Sequence, residues 1–106
     1  MFLSKVTGTA SQLGVRIESV GAVDQLLSRA PSVRLIIVDL GLNEVDLQSL
    51  IAGLPDPRAM TIAFGAHVDV DRLAAAQAAG FDLVLPRSKF SSTLPDLLRE
   101  ALQLPT

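Results

Sequence analysis

Apolar positions along this chain recur with two different periods, and the two alternate from one end to the other. Leu35-Ile36-Ile37-Val38 is a continuous apolar run, which predicts a strand buried on both faces, as in a parallel sheet. Met60-Thr61-Ile62-Ala63-Phe64 predicts a second such strand, and Leu83-Val84-Leu85 a short third. Val15-Arg16-Ile17-Glu18-Ser19-Val20 alternates strictly, so it predicts a strand with one half-exposed side. Helical spacing fills the intervals. Ala22 to Arg29 carries Val23, Leu26 and Leu27 on one face, and Pro31 ends it. From about Glu44, the residues Leu47, Leu50, Ile51 and Leu54 fall at i, i+3, i+4 and i+7, with Gly53, Pro55 and Pro57 as the stop.

The same cycle repeats further on. Gly65-Ala66-His67 reads as a tight loop, Asp69 as an N-cap, and Gly80 as the left-handed residue just past a helix ending at Ala79. Thr93 and Asp96 resemble a capping box, which predicts a last helix carrying Leu94, Leu97, Leu98, Ala101 and Leu102. Pro95 then falls in the first turn, where its missing N–H is not needed.

The first fourteen residues admit two readings. Phe2, Val6, Ala10 and Leu13 lie at i, i+4, i+8 and i+11, a helix with Gly14 at its end. Thr7-Gly8-Thr9 is poor in helix formers, which leaves room for a strand at Phe2–Val6. The helix is favoured, because the two turns left after such a strand make a poor crossover between parallel strands. Strand starts near 15, 34, 60 and 82 suit βαβ crossovers and are too far apart for hairpins. The expectation is a single α/β domain over residues 1–106, a doubly wound parallel sheet of four or five strands with helices on both faces.

Composition narrows the chemistry. With 49% hydrophobic and 19% charged residues, no Tyr or Trp and four Phe, the core is aliphatic and the chain globular. The absence of Cys excludes disulfides, thiolate metal sites and thiol catalysis, and fits a cytoplasmic location. A net charge of −2 without a basic stripe argues against nucleic-acid binding. No apolar stretch approaches a membrane span, and Met1-Phe2-Leu3 is interrupted too soon for a signal peptide.

Candidate chemistry gathers at one place. Asp39 ends the Leu35–Val38 run, so it stands at the carboxyl end of a strand, where open α/β sheets keep their ligands. An Asp there also serves simply to satisfy loop amides. His67 follows Gly65-Ala66 at the same edge, but without a designated carboxylate it reads as an exposed loop residue. Asp69 and Asp71 look like a paired-acid metal site, yet both lie at a helix start, where acids complement the dipole. Ala74-Ala75-Ala76-Gln77-Ala78-Ala79 reads equally as a smooth contact face or as plain helix propensity. No nucleophile–base pair and no glycine-rich phosphate loop stand out, so catalysis is not expected and no metal site is assigned.

In this β/α order the chain resembles the receiver domain of bacterial response regulators, the CheY-like (flavodoxin-like) fold. Arg34 to Leu40 is similar to the strand that ends in the family's phospho-accepting aspartate, with Asp39 in that place. Asp46-Leu47 resembles the acidic-glycine pair opening the third helix, and Ala78-Ala79-Gly80-Phe81-Asp82 the approach to the fifth strand. The resemblance implies two-component-type signalling through protein contacts, with the helices beginning near Asp69 and Thr93 as the partner surface.

The departures carry as much information. Receivers hold Mg²⁺ with an acidic pair after the first strand, and no such pair precedes Val15; Glu18 is the only acid before Asp24. The family's Thr or Ser after the fourth strand is Gly65 here, followed by Ala66. Its Lys after the fifth strand is replaced by Arg87-Ser88, with Lys89 two residues on and Pro86 before the basic residue instead of after it. Phosphoryl transfer to a carboxylate needs a divalent ion that a single Asp holds poorly. Arg87 keeps a positive charge that can pair with Asp39 bidentately, but it is no neutral substitute for Lys.

The expectation is therefore a pseudo-receiver with little or no phosphorylation and no cofactor. Asp39 marks a vestigial acceptor position, and Gly65, Ala66, Arg87 and Lys89 line its pocket. The alternative is a true switch phosphorylated on Asp39 by a histidine kinase, with Mg²⁺ and acids from a first strand not seen in this sequence. A chain starting at the first helix either pairs the strands across the gap, borrows a strand from a second copy in a swapped dimer, or has its true start upstream of Met1.

Overall fold

The computed structural model describes residues 2–15, 17, 23–29, 31, 33–41, 46–55 and 59–102. In chain order these form α1 (Phe2–Gln12), α2 (Val23–Arg29), β1 (Leu35–Asp39), α3 (Leu47–Ala52), β2 (Met60–Gly65), α4 (Val70–Ala79), β3 (Leu83–Pro86) and α5 (Arg87–Leu102). The three strands make one parallel sheet in the order β1-β2-β3. Leu35 pairs with Met60 and Asp39 with Phe64 across one ladder, Ile62 with Leu83 and Gly65 with Pro86 across the other.

Strand periodicity sorts the side chains onto two faces. Leu35, Ile37, Ile62, Phe64, Leu83 and Leu85 join Val6 and Ala10 of α1 and Phe90, Leu94 and Leu98 of α5 in one core. Ile36, Val38, Ala63 and Val84 join Leu26 and Leu27 of α2, Leu47 and Leu50 of α3, and Leu73 and Ala76 of α4 in the other. Helices thus cover both faces, and β2, buried from Thr61 to Gly65, is the central strand.

Helix ends follow local chemistry. Gly14 (φ +74°) and Gly80 (φ +105°) take the left-handed conformation past α1 and α4. At each, two N–H groups return to the last turn: Gly14 to Ser11 and Val15 to Ala10, Gly80 to Gln77 and Phe81 to Ala76. Asp46 caps α3, accepting from the Ser49 N–H at 3.1 Å and the Ser49 hydroxyl at 2.8 Å. Those bonds hold its carboxyl below the ordinary aspartate value of 3.8. Asp69 occupies the N-cap position of α4, but its side chain makes no capping bond.

Several boundaries differ from the pattern. The described residues contain three strands, not four or five. Val15 and Ile17 lie outside any strand, although both pack on the α1–α5 core. Arg16 and residues 18–20 of the expected strand, Glu18 among them, lie outside the described residues, as do Ala22, Glu44 and Pro57. The strand through Phe64 includes Gly65, because the ladder to β3 runs one residue further.

The last helix differs most. It begins at Arg87, directly after β3, so Thr93 and Pro95 lie inside it and form no capping box. Phe90, Leu94 and Leu98, spaced i, i+4 and i+8, are all buried, and that stripe carries the helix back past the local stop signals. Thr93 turns its hydroxyl inward along the helix, donating to the Lys89 carbonyl at 2.7 Å.

Candidate functional site

Asp39 is the last residue of β1, so its carboxylate emerges at the carboxyl edge of the sheet. It follows Leu35 and Ile37 in the period-2 alternation and so takes the α1–α5 face. Its register partner is Phe64, and the partner of Phe64 in β3 is Leu85. Arg87, two residues beyond Leu85, therefore starts α5 on the far side of Phe64 and must cross it to reach Asp39. It does so: the guanidinium carbon stands 5.8 Å from the centroid of the Phe64 ring, and Nη2 donates to Asp39 Oδ1 at 3.2 Å. Phe64 in turn stacks on Phe90 of α5, with centroids 4.5 Å apart and rings inclined by 9°.

The same carboxylate oxygen accepts the Gly41 N–H at 2.9 Å, closing an Asp turn over Leu40. With side-chain exposures of 19% for Asp39 and 41% for Arg87, the pair is half in solvent. An ion pair of that exposure contributes at most about 1 kcal/mol. Its consequence is positional: Asp39 stands at the sheet edge with the Arg87 guanidinium beside it.

Gly65 sits close against Leu40. A Cβ at that position would lie 3.3 Å from Leu40 Cβ and 3.7 Å from Leu73 Cδ2. Leu40, 3% exposed and bonded through its N–H to the Phe64 carbonyl at 2.9 Å, has little freedom to move away. A side chain at position 65 would therefore press on Leu40, which would have to give by a few tenths of an ångström.

The other predicted site residues divide. Ala66 and Arg87 line an open, shallow depression together with His67, Ser88 and Ser91. Lys89 is exposed and does not reach Asp39. Two residues along a helix are roughly 200° around its axis, so with Arg87 facing Asp39 the lysine faces away. His67 is exposed in the turn after Ala66, and Asp69 and Asp71 sit at the head of α4. Among the described residues no three His, Asp or Glu side chains gather as a metal-ligand group. No helix among them is long and apolar enough to cross a membrane.

Two participants escape the sequence reading. Phe64, a strand residue in the sequence pattern, is also the platform under Arg87. Gly41 lies beside the ion pair, where a Cβ would meet Arg87 Nη2 at 3.1 Å and Asp39 Oδ1 at 3.4 Å. The Asp-Leu-Gly order was the available signal for the second, since a small residue two after Asp suits an Asp turn. Comparison with known proteins returns no match, either to a family profile or to a curated protein.

Proposed function

We propose that this chain is a divergent receiver-like module that works by binding another protein, with Asp39 retained as half of an ion pair and not as a phospho-acceptor. The observation that supports it is the engagement of Asp39 Oδ1 by both Arg87 Nη2 and the Gly41 N–H. A phosphoryl group entering there would have to displace or recruit Arg87, and among the described residues no three His, Asp or Glu side chains gather to hold a divalent ion. The tight approach of Leu40 to position 65, where a Cβ would lie 3.3 Å from its Cβ, points the same way. The parallel order β1-β2-β3 with helices on both faces is compatible with the doubly wound, flavodoxin-like topology that this reading entails.

In this reading the module has no enzymatic activity and no cofactor, and it acts in the cytoplasm. Its partner surface is α4 with α5, the latter starting at Arg87. Val68 and Val70, 74% and 66% exposed, stand at the head of α4, and Ala74 and Ala78 continue the stripe one and two turns on. The partner is a signalling or output protein, or a second copy of the chain.

A second reading has one observation in its favour. Among the described residues both bonds to Asp39 fall on Oδ1, which leaves Oδ2 to meet a phosphoryl donor. Intact-mass measurement after incubation with acetyl phosphate and Mg²⁺, beside an Asp39→Asn control, separates the two. The interaction module predicts an unchanged mass. A gain of about 80 Da, one phosphoryl group, that vanishes in the control overturns it in favour of the phospho-switch. Sedimentation velocity over a range of concentrations then tells self-association from a requirement for a foreign partner.

A further inference from the structure

We draw no further inference here: the strongest candidate, the exposed Val68 and Val70 at the head of α4 beside the depression lined by His67, Arg87 and Ser91, belongs to the partner surface already proposed, and nothing in the structure shows what covers it.

Discussion

Thr61 and Asp82 clasp the amino ends of β2 and β3 together. The Thr61 N–H and hydroxyl donate to Asp82 Oδ2 at 2.8 and 3.1 Å, and the Asp82 N–H donates back to Thr61 Oγ1 at 3.0 Å. The two residues stand one step before the ladder pair Ile62–Leu83, so side chains continue the register past the end of β3. Thr61 is 1% exposed, which leaves water no access to its polar atoms. Asp82, placed by the left-handed turn at Gly80, thus secures the sheet at the edge opposite Asp39.

Breaking that clasp from one side is expected to destabilise the fold. Thr61→Val keeps the volume and removes the hydroxyl, while Asp82→Ala leaves the Thr61 N–H and hydroxyl without this acceptor. Removing one hydrogen-bond partner from a buried polar group costs up to about 1–3 kcal/mol. Urea unfolding should show both variants at lower midpoints, with Asp82→Ala the worse. Equal midpoints for wild type and Asp82→Ala would mean that the clasp contributes nothing.

The Asp39–Arg87 pair should behave differently. Because Arg87 is 41% exposed, a double-mutant cycle with Asp39→Asn and Arg87→Met is expected to give a coupling below about 1 kcal/mol, shrinking further in high salt. A coupling near 3 kcal/mol would mark a desolvated pair, and the description of a half-solvated edge site would be wrong.

How far these features were legible in the sequence depends on how local their causes are. Asp39 at a strand end, Gly14 and Gly80 past helix ends, and the α1 face of Val6, Ala10 and Leu13 all follow from the residues within one or two turns. The start of α5 does not. Ser88-Lys89-Phe90-Ser91-Ser92 has weak helix propensity, and Thr93-Leu94-Pro95-Asp96 imitates a helix start. The burial of Phe90 together with Leu94 and Leu98, with Phe90 stacked on Phe64, a residue 26 positions earlier in the numbering, decides otherwise. The direction of Lys89 is not local either, since it depends on where the helix begins. The occupation of the space beside Gly65 by Leu40 is likewise a contact across strands that no local pattern encodes.

Restoring a hydroxyl at the end of β2 tests that packing directly. Gly65→Ser places a Cβ 3.3 Å from Leu40 Cβ, an overpacking expected to destabilise by about 1–3 kcal/mol. Thermal unfolding with and without a compensating Leu40→Ala change is the measurement. The serine should be less damaging in the Leu40→Ala background than in the wild type. If it is equally damaging in both, Leu40 is not what excludes it.

Asp46 gives the fold a predictable response to acid. Its carboxyl is held below 3.8 by the Ser49 hydroxyl first and the Ser49 N–H second, so the folded state binds its proton less readily than the unfolded one. The stabilisation is therefore complete above the ordinary aspartate value and disappears as pH falls through the lower folded value. The difference in unfolding midpoint between wild type and Asp46→Ala should be constant from pH 7 to 5 and narrow below pH 4. A difference that stays constant down to pH 2 would separate the cap from its charge.

Pro95 is the residue most at odds with its place. It lies at the ninth position of α5, where it offers no N–H to the Ser91 carbonyl one turn earlier. An interior proline disfavours a helix by about 3 kcal/mol relative to alanine. Against this, proline stiffens the unfolded chain by about 0.4–1 kcal/mol. Its ring is also half-buried, at a position between the buried Leu94 and Leu98 in the sequence of the helix. The balance favours alanine, and Pro95→Ala is expected to raise stability by about 1–2 kcal/mol in denaturant titrations. A fall instead would show that the ring's packing outweighs the missing hydrogen bond, and that α5 is shaped around its proline.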